Sequence, residues 1–234
     1  MDNGANPFRL FQPSLMIGLF CFSMAFCNLD KAVYDGVGRY DFPKIEPFTE
    51  DVKISNWIRF TDIGKCKLSQ NTAVHFFQDD YKFESIWNRP LRYIDKFRRC
   101  GLIVQPDFSM YTDFPIIIQM YNKYRNHWLA RFYSDRGIKV LPYVMWSTPE
   151  SYEWCFDGMP KGSVVSVTTN GTLRDRAAHN YFLRGFAEMQ KRLWPKKIIV
   201  FTVTNETDSI GLDYGNIEYV NCAVRNTLLK KQRS

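Results

Sequence analysis

Acidic residues are the first candidates for chemistry in this chain. Asp79 and Asp80 stand side by side, Glu84 follows them, and Asp107 comes after a short apolar run. Hard divalent cations such as Mg²⁺ prefer carboxylate oxygens as ligands in proteins. Asp79, Asp80 and Asp107 are therefore the candidate metal ligands, and a metal held there would predict hydrolysis of a phosphodiester or a glycoside. Paired acids before an aromatic run also cap helices, and this alternative stays open.

A histidine close to the acid pair could take part in proton transfer. His75 is a candidate general base, and Asp80 and Asp107 complete the candidate catalytic set. The apolar neighbours Val74 and Phe76 equally favour a histidine that is buried in the core.

In the second half of the chain, apolar runs alternate with helical patterns. This alternation predicts the strands and helices that position the candidate residues. Strands are predicted over 101–105, 138–146, 163–167 and 197–203. Helices are predicted over 115–136, from 148 onwards and over 174–193. Strands separated by helices of this length form βαβ units with parallel strands. We therefore predict an α/β fold with a parallel sheet of repeated βα units, either an open doubly wound sheet or a partial barrel.

In both architectures ligands bind beyond the carboxyl ends of the strands. The loops at these ends hold polar and aromatic residues that we take as candidate ligand contacts: Phe108, Ser109, Tyr111, Trp146, Ser147, Thr169 and Asn170. Ser, Thr, Asn and Asp also cap helices at such positions, so a purely structural role remains the alternative.

Four zones divide the chain. They are an apolar segment over 1–34, an irregular region over 35–99, the parallel α/β core over 100–203, and a C-terminal extension with a basic tail over 204–234. The apolar run from Leu15 to Cys27 has the length of a signal-peptide core and is too short to span a bilayer. We expect it to pack on the main body, with a removable leader over 1–27 as the alternative, and we predict no transmembrane span.

Positive charge concentrates late in the chain, which has a net charge of +7. The candidate contacts to nucleic acid are Arg184, Lys191, Arg192, Lys196 and Lys197, followed by the basic tail. Cations on one helix and a tail can neutralise phosphates, and a solvated helix face is the alternative. An aromatic content of 16% excludes a disordered or collagen-like chain.

Separated blocks of sequence resemble the family catalogued as domain of unknown function 4417, over about residues 35–203. The blocks are Tyr40–Ile45, His75–Tyr81, Pro106–Tyr111, Tyr121–Asn122 with Arg125–Asn126, Gly137–Val140 and Cys155–Gly158. The resemblance adds Asn122 and Arg125 to the candidate ligand contacts. It implies an origin in a bacterium, phage or mobile element and a place in the host cytoplasm, and it brings no established activity. The chain departs from the family pattern at residues 1–34 and at Thr202–Thr204, where a Tyr-Gly turn is expected.

Three functional hypotheses follow. The first is a phage or mobile-element protein that acts on or binds nucleic acid or a nucleotide, with a divalent cation at Asp79, Asp80 and Asp107. The second is a binding module that holds a small nucleotide-like or sugar-like ligand without turning it over. The third is a factor that contacts host or phage proteins and has no small-molecule site. The first hypothesis predicts a converging set of carboxylates, and the second predicts a deep aromatic pocket. The third predicts an exposed apolar patch.

Overall fold

A computed structural model describes residues 26–173 and 175–222. The N-terminal segment up to residue 25, which holds nearly all of the predicted leader, lies outside the described residues, and so do Arg174 and the basic tail from residue 223. Among the described residues, no helix combines the length and apolar character that a membrane crossing requires.

The strands are short and the helices differ widely in length. The strands are β1 (Gly36–Val37), β2 (Phe42–Pro43), β3 (Asn56–Arg59), β4 (Thr72–His75), β5 (Leu102–Val104), β6 (Val140–Leu141), β7 (Val164–Thr168), β8 (Lys197–Thr202) and β9 (Ile217–Asn221). The α-helices are α1 (Glu84–Asn88), α2 (Ile94–Arg98), α3 (Ile116–Ser134) and α4 (Arg176–Leu193). Short 3₁₀ helices cover Phe60–Asp62, Asp80–Lys82, Pro90–Tyr93, Pro149–Glu153 and Thr207–Ile210.

Strands β3 to β9 are parallel and follow one another in chain order. A 4-stranded ladder holds β3 to β6 and a 3-stranded ladder holds β7 to β9. A parallel bridge between Tyr143 and Ser166 joins the two ladders, and Ser166 N donates to Pro142 O over 2.7 Å. The predicted parallel α/β fold is therefore confirmed. A doubly wound sheet reverses its strand order at a switch point, whereas this order never reverses.

Ring contacts show that the sheet curls. Phe77, which follows β4, and Phe201 of β8 have ring centroids 4.7 Å apart. Trp57 of β3 lies 4.9 Å from the same ring. Neighbouring strands lie about 4.8 Å apart, so a flat sheet would separate these side chains by several strand spacings. The partial barrel is therefore the correct one of the two predicted architectures.

Two apolar layers follow from the alternation of side chains along the strands. In β8, Ile198 and Val200 pack outwards with the helices, whereas Ile199 and Phe201 face inwards. The buried inner layer contains no helical residue: it is Phe48, Ala73, Phe77, Leu102, Val104, Leu141, Tyr143, Val164, Ile199, Phe201 and Val220. Helices on one face alone leave the other face to be covered by the sheet itself, which is why the sheet curls.

Two regions outside the predicted core belong to the barrel. The region over 35–99, which we expected to be irregular, supplies β3, β4, α1 and α2, and the C-terminal extension supplies β9. β3 and β4 escape detection because each has four residues and carries polar side chains, including the buried Thr72 and His75. The helix expected from residue 148 is a 3₁₀ turn, Pro149–Glu153.

Candidate functional site

A cavity of about 410 Å³ opens at the carboxyl ends of β4 to β7. The loop after each of these strands contributes to its lining, and the first turns of α4 close one side. The lining residues used below are Phe77, Gln78, Asp79, Asp107, Ser109, Tyr111, Tyr143, Trp146, Ser147, Thr168, Asn170, Tyr181 and Phe182. The cavity therefore lies where the sequence places a ligand site, and its volume is within the range of about 300–1,000 Å³ that is usual for ligand pockets.

Asp107 is one of the two acidic residues that line this cavity. Burial raises the pKa of Asp107 well above its ordinary value, and the charge of nearby Asp80 adds to the rise. The hydroxyl of Tyr143 hydrogen-bonds Asp107 and opposes the rise. Because burial dominates, the protonated, uncharged carboxyl is favoured, and such a group both donates and accepts hydrogen bonds.

Helix α3 fixes the loop that carries Asp107. Asn126 accepts from Phe108 N over 2.8 Å and donates to Phe108 O over 3.0 Å. Asn122 donates to Ser109 O over 2.6 Å. From the other side, the Asp80 carboxylate accepts from Ser109 N at 3.0 Å and from Ser109 Oγ at 2.8 Å. The loop is thus set before any ligand arrives.

Several predicted site residues belong to this support and not to the cavity wall. Phe108 is fully buried, and the guanidinium of Arg125 lies 3.7 Å from the centre of its ring. Arg125 also bonds Glu84 at 2.8 Å and Asn122 Oδ1 at 2.6 Å. Phe108, Asn122 and Arg125 therefore hold the loop, and none of them lines the cavity.

Trp146 forms an aromatic wall whose position depends on a glycine. Its indole N–H donates to Tyr181 O over 3.1 Å, and its ring lies 5.7 Å from that of Phe182. A Cβ atom on Gly185 would lie 2.1 Å from Trp146 Nε1. Only glycine at this turn of α4 allows the indole to pack so closely.

Two polar atoms at the cavity have no partner among the described residues. Ser147 is 3% exposed, and its Oγ makes no hydrogen bond. Gln78 Nε2 is also unpaired, although Gln78 Oε1 accepts from the Thr61 hydroxyl over 3.1 Å. Each of these two atoms has less than 1 Å² of accessible surface, so neither faces the open space of the cavity.

The other predicted contacts divide between the cavity and its surroundings. Ser109, Tyr111 and Asn170 line the cavity as expected. Thr169 is buried beside it, where its hydroxyl donates to Thr202 Oγ1 over 3.0 Å.

His75 is placed in the barrel interior. It is 3% exposed and stacks on Phe77 with ring centroids 5.3 Å apart. Burial lowers the pKa of His75 to about 4, and the charge of Arg59 contributes. His75 does not line the cavity, and the neutral imidazole is the stable form there.

The three candidate metal ligands point to different partners. Asp79 is paired with Lys82 at 2.5 Å, Asp80 binds Ser109, and Asp107 binds Tyr143. In the part of the chain that the structure describes, no group of three His, Cys, Asp or Glu side chains is arranged to hold a metal ion. The geometry therefore does not bring together the oxygen ligands that Mg²⁺ would need.

The candidate nucleic-acid cations lie away from the cavity. Lys191, Arg192, Lys196 and Lys197 surround the end of α4 and the start of β8, at the amino ends of the strands, and Arg184 is exposed further along α4. Arg192 binds Glu188 at 2.6 Å and Lys197 binds Glu218 at 2.5 Å. Among the described residues that line the cavity there is no Lys, Arg or His.

Sequence reasoning missed many of the lining residues. Those with aromatic or amide side chains are Phe77, Gln78, Tyr143, Tyr181 and Phe182. Phe77 and Gln78 follow β4, whose strand was not recognised, and Tyr143 lies inside the predicted strand over 138–146, which ends early. Tyr181 and Phe182 could have been found, because the first turns of a helix after a barrel strand face the same edge as the strand-end loops.

Comparison with known proteins gives a family and two phage relatives. The sequence model of the family described as domain of unknown function 4417 matches residues 34–220, which include β3 to β8 and all of β9 except its last residue. The chain is 34% identical over 140 residues to the "Gene 1 protein" of Mycobacterium phage L5, across 60% of this chain and 61% of the relative. It is 33% identical over 140 residues to the "Gene 1 protein" of Mycobacterium phage D29, across 60% of this chain and 52% of the relative. The match thus spans between half and two thirds of each relative's length, and no solved structure matches.

Proposed function

The chain belongs to the family described as domain of unknown function 4417, and from the cavity in the matched region we propose that it binds a small uncharged ligand at the carboxyl ends of β4 to β7. The observation that carries this proposal is the environment of Asp107. A carboxyl group whose pKa is raised by burial, bonded to Tyr143 in a cavity that is lined by aromatic rings and by no described cation, suits a neutral ligand that forms hydrogen bonds.

The charges around the cavity support an uncharged ligand over a phosphate ester. The ionisable acids that line it are Asp79 and Asp107, and its described lining offers no cation. Sites for phosphate groups use Lys, Arg or a free helix N-terminus. The N-terminus of α4 is already capped, since Asp175 Oδ1 accepts from Ala178 N over 2.7 Å. Of the nucleotide-like or sugar-like ligands that the sequence suggests, the unphosphorylated ones therefore match best.

The two other hypotheses stay predictions. Binding of nucleic acid through the cations near the end of α4 would use a surface at the opposite ends of the strands. A role in protein contacts is favoured by Ile116, Ile117 and Ile118, which are 42–66% exposed at the start of α3.

Thermal unfolding of the full chain with matched ligand pairs tests the proposal. The probes are adenosine, uridine and glucose, each beside its phosphorylated form. We expect at least one neutral compound to raise the Tm, because binding to the native state alone stabilises it, and its phosphorylated partner to raise the Tm less. Asp107→Ala and Trp146→Ala should lose the shift, whereas Lys196→Ala, at the other end of the barrel, should keep it. A larger shift with the phosphorylated partners, or a shift that survives both cavity variants, would overturn the proposal.

A further inference from the structure

An exposed tryptophan ends helix α4, at the end of the barrel opposite to the cavity. Trp194 is 58% exposed, and its φ of +36° lies in the left-handed region. Its backbone N–H caps the helix by donating to Gln190 O over 3.0 Å. Glycine is the usual residue at such a position, because a Cβ atom makes the left-handed conformation costly. A strained residue whose side chain is largely exposed is typical of a binding site.

Lysines from two joined loops lie beside this ring. The loop before β7 places Lys161 Nζ 4.9 Å from the centre of the Trp194 ring. That loop is joined to the one before β8, since Lys196 N donates to Ser163 O over 3.0 Å. Lys196 follows the tryptophan by two residues, and Lys191 belongs to the last turn of α4. The ring and the cations thus form one surface at the amino ends of the strands.

Only part of the positive charge here is neutralised. Arg192 is paired with Glu188, and Lys197 is paired with Glu218. Three further cations are exposed and make no ion pair with any residue that the structure describes: Lys161, Lys191 and Lys196. We call these three lysines and Trp194 the Trp194 surface. Its uncompensated charge fits a polyanion.

The chemistry of the Trp194 surface favours a single-stranded nucleic acid over a membrane or a duplex. A base can stack on an exposed ring while the phosphates on either side meet cations. A helix that lies on a membrane needs a free apolar face, whereas the apolar residues of α4 are buried: Phe182, Phe186, Met189 and Leu193. In a duplex the bases are stacked on one another, so their faces are not free for the tryptophan.

We propose that the Trp194 surface binds a single-stranded nucleic acid, with one base stacked on Trp194 and the neighbouring phosphates at Lys161, Lys191 and Lys196. Sequence reasoning named Lys191 and Lys196, and the structure adds Lys161 and the ring. Because the cavity opens at the carboxyl ends of the strands, this inference does not depend on the function proposed above.

Fluorescence anisotropy of labelled oligo(dT) and oligo(rU) with the full chain tests this inference. We expect at least one of them to bind and to quench tryptophan fluorescence. Between 50 and 200 mM salt the affinity should fall by about twentyfold, as contacts with about three phosphates of a single strand imply. Lys161→Gln, Lys191→Gln and Lys196→Gln should each weaken the binding and make it less dependent on salt.

Variants of the tryptophan separate binding from folding. Trp194→Gly should weaken the binding by about five- to a hundredfold, as the loss of one stacked base does, and Trp194→Phe should weaken it less. Because glycine suits the left-handed backbone of this position, Trp194→Gly should keep the Tm of the wild type.

A second exposed ring with a lysine over it provides the matched control. Tyr81 is 76% exposed and Lys82 Nζ lies 5.5 Å from the centre of its ring, but Asp79 neutralises this lysine. Tyr81→Ala and Lys82→Gln should therefore leave the affinity unchanged. Tighter binding of duplex DNA than of either oligomer would overturn the inference, and so would binding of phosphatidylserine vesicles without binding of an oligomer. Absence of binding, or binding that resists Trp194→Gly and all three lysine variants, would overturn it as well.

Discussion

Asn126 holds the backbone of Phe108 at both of its polar groups: Oδ1 accepts from the Phe108 N–H at 2.8 Å, and Nδ2 donates to the Phe108 carbonyl at 3.0 Å. Asn126 is fully buried on α3, and Phe108 directly follows Asp107. A helix residue therefore sets the backbone next to Asp107, which lines the cavity. The amide of Asn126 thus makes the two backbone hydrogen bonds that a neighbouring strand would otherwise make to Phe108.

Replacement of Asn126 should reveal this support. In Asn126→Ala two buried backbone groups lose their partners, which costs about 1–3 kcal/mol for each group. In Asn126→Asp the acceptor remains, but a carboxylate oxygen would face the Phe108 carbonyl at a fully buried position, so the loss of unfolding free energy should be at least as large. Urea denaturation measures both, with Asn180→Ala at an exposed position of α4 as the control. A loss in Asn126→Ala no greater than in Asn180→Ala would contradict the role of this contact.

The curl of the sheet predicts an energetic coupling between distant strands. Phe77 follows β4 and Phe201 lies on β8, yet the centroids of their rings are 4.7 Å apart. A double-mutant cycle with Phe77→Leu and Phe201→Leu should give a coupling of about 0.5–1.5 kcal/mol, the usual value for an aromatic pair. Phe97→Leu, in the outer layer, should add to Phe201→Leu without coupling. Simple additivity of the Phe77 and Phe201 changes would show that the two rings do not meet in solution.

Much of the barrel can be predicted from the sequence because its later strands are continuous apolar runs. The predicted strands over 101–105, 163–167 and 197–203 match β5, β7 and β8 to within a residue or two at each end. β4 was not predicted because it begins and ends with polar residues, Thr72 and His75, which are buried in the structure. Because β4 was not predicted, Gln78, which follows it, was not among the candidate site residues.

The candidate site was partly predictable for a related reason. Strand ends can be read from the sequence, so Asp107, Ser109, Trp146 and Asn170 were placed correctly at one edge. The direction of a polar side chain on a helix cannot be read in this way. The family resemblance alone brought Asn122 and Arg125 into the candidate site, whereas in the structure they contact the backbone and the side chains that hold the loop.

Gly185→Ala should reverse the usual effect of this substitution. Alanine in place of glycine inside a helix normally stabilises by about 1 kcal/mol. Here the new Cβ would lie 2.1 Å from Trp146 Nε1, and overpacking of this kind costs about 1–3 kcal/mol. We expect a lower unfolding free energy and a shifted tryptophan emission.

Two comparisons isolate the cause of that effect. Gly64→Ala, where a Cβ meets nothing within 4 Å, should leave the stability close to wild type. In a Trp146→Leu background the cost of Gly185→Ala should fall, because the indole is gone. An equal cost in both backgrounds would mean that the contact with Trp146 is not its source.

A buried lysine makes the stability depend on pH. Lys123 is 1% exposed, and its amine lies 2.8 Å from His127 Nε2 and donates to Cys155 O over 2.9 Å. Nδ1 of His127 lies 2.8 Å from Pro43 O, so the ring donates there and accepts from Lys123. Burial lowers the pKa of Lys123 from 10.5 to about 7, although the charge of Asp157 acts in the opposite direction.

The direction of the pH effect follows from proton binding. Between pH 7 and 10.5 the unfolded chain keeps the Lys123 proton and the folded chain has lost it, so the unfolding free energy gains from rising pH. The gain is at most about 1.4 kcal/mol per pH unit, and below pH 7 this contribution stays constant because both states are protonated. Buried cysteines and tyrosines oppose it at higher pH, since burial raises their pKa values.

In a comparison of the wild type with Lys123→Met, the contributions of those cysteines and tyrosines to the pH dependence largely cancel, because both proteins contain them. Urea denaturation at pH 7.5 and 8.5 should show the wild type gaining stability relative to Lys123→Met between these two values. The variant also leaves His127 Nε2 and Cys155 O unpaired, which lowers its stability at both pH values. Loss of the Lys123 charge also affects the pKa of His127, but both values lie above the ordinary pKa of histidine. A difference between the two proteins that is flat across this range would mean that Lys123 keeps its proton in the folded barrel.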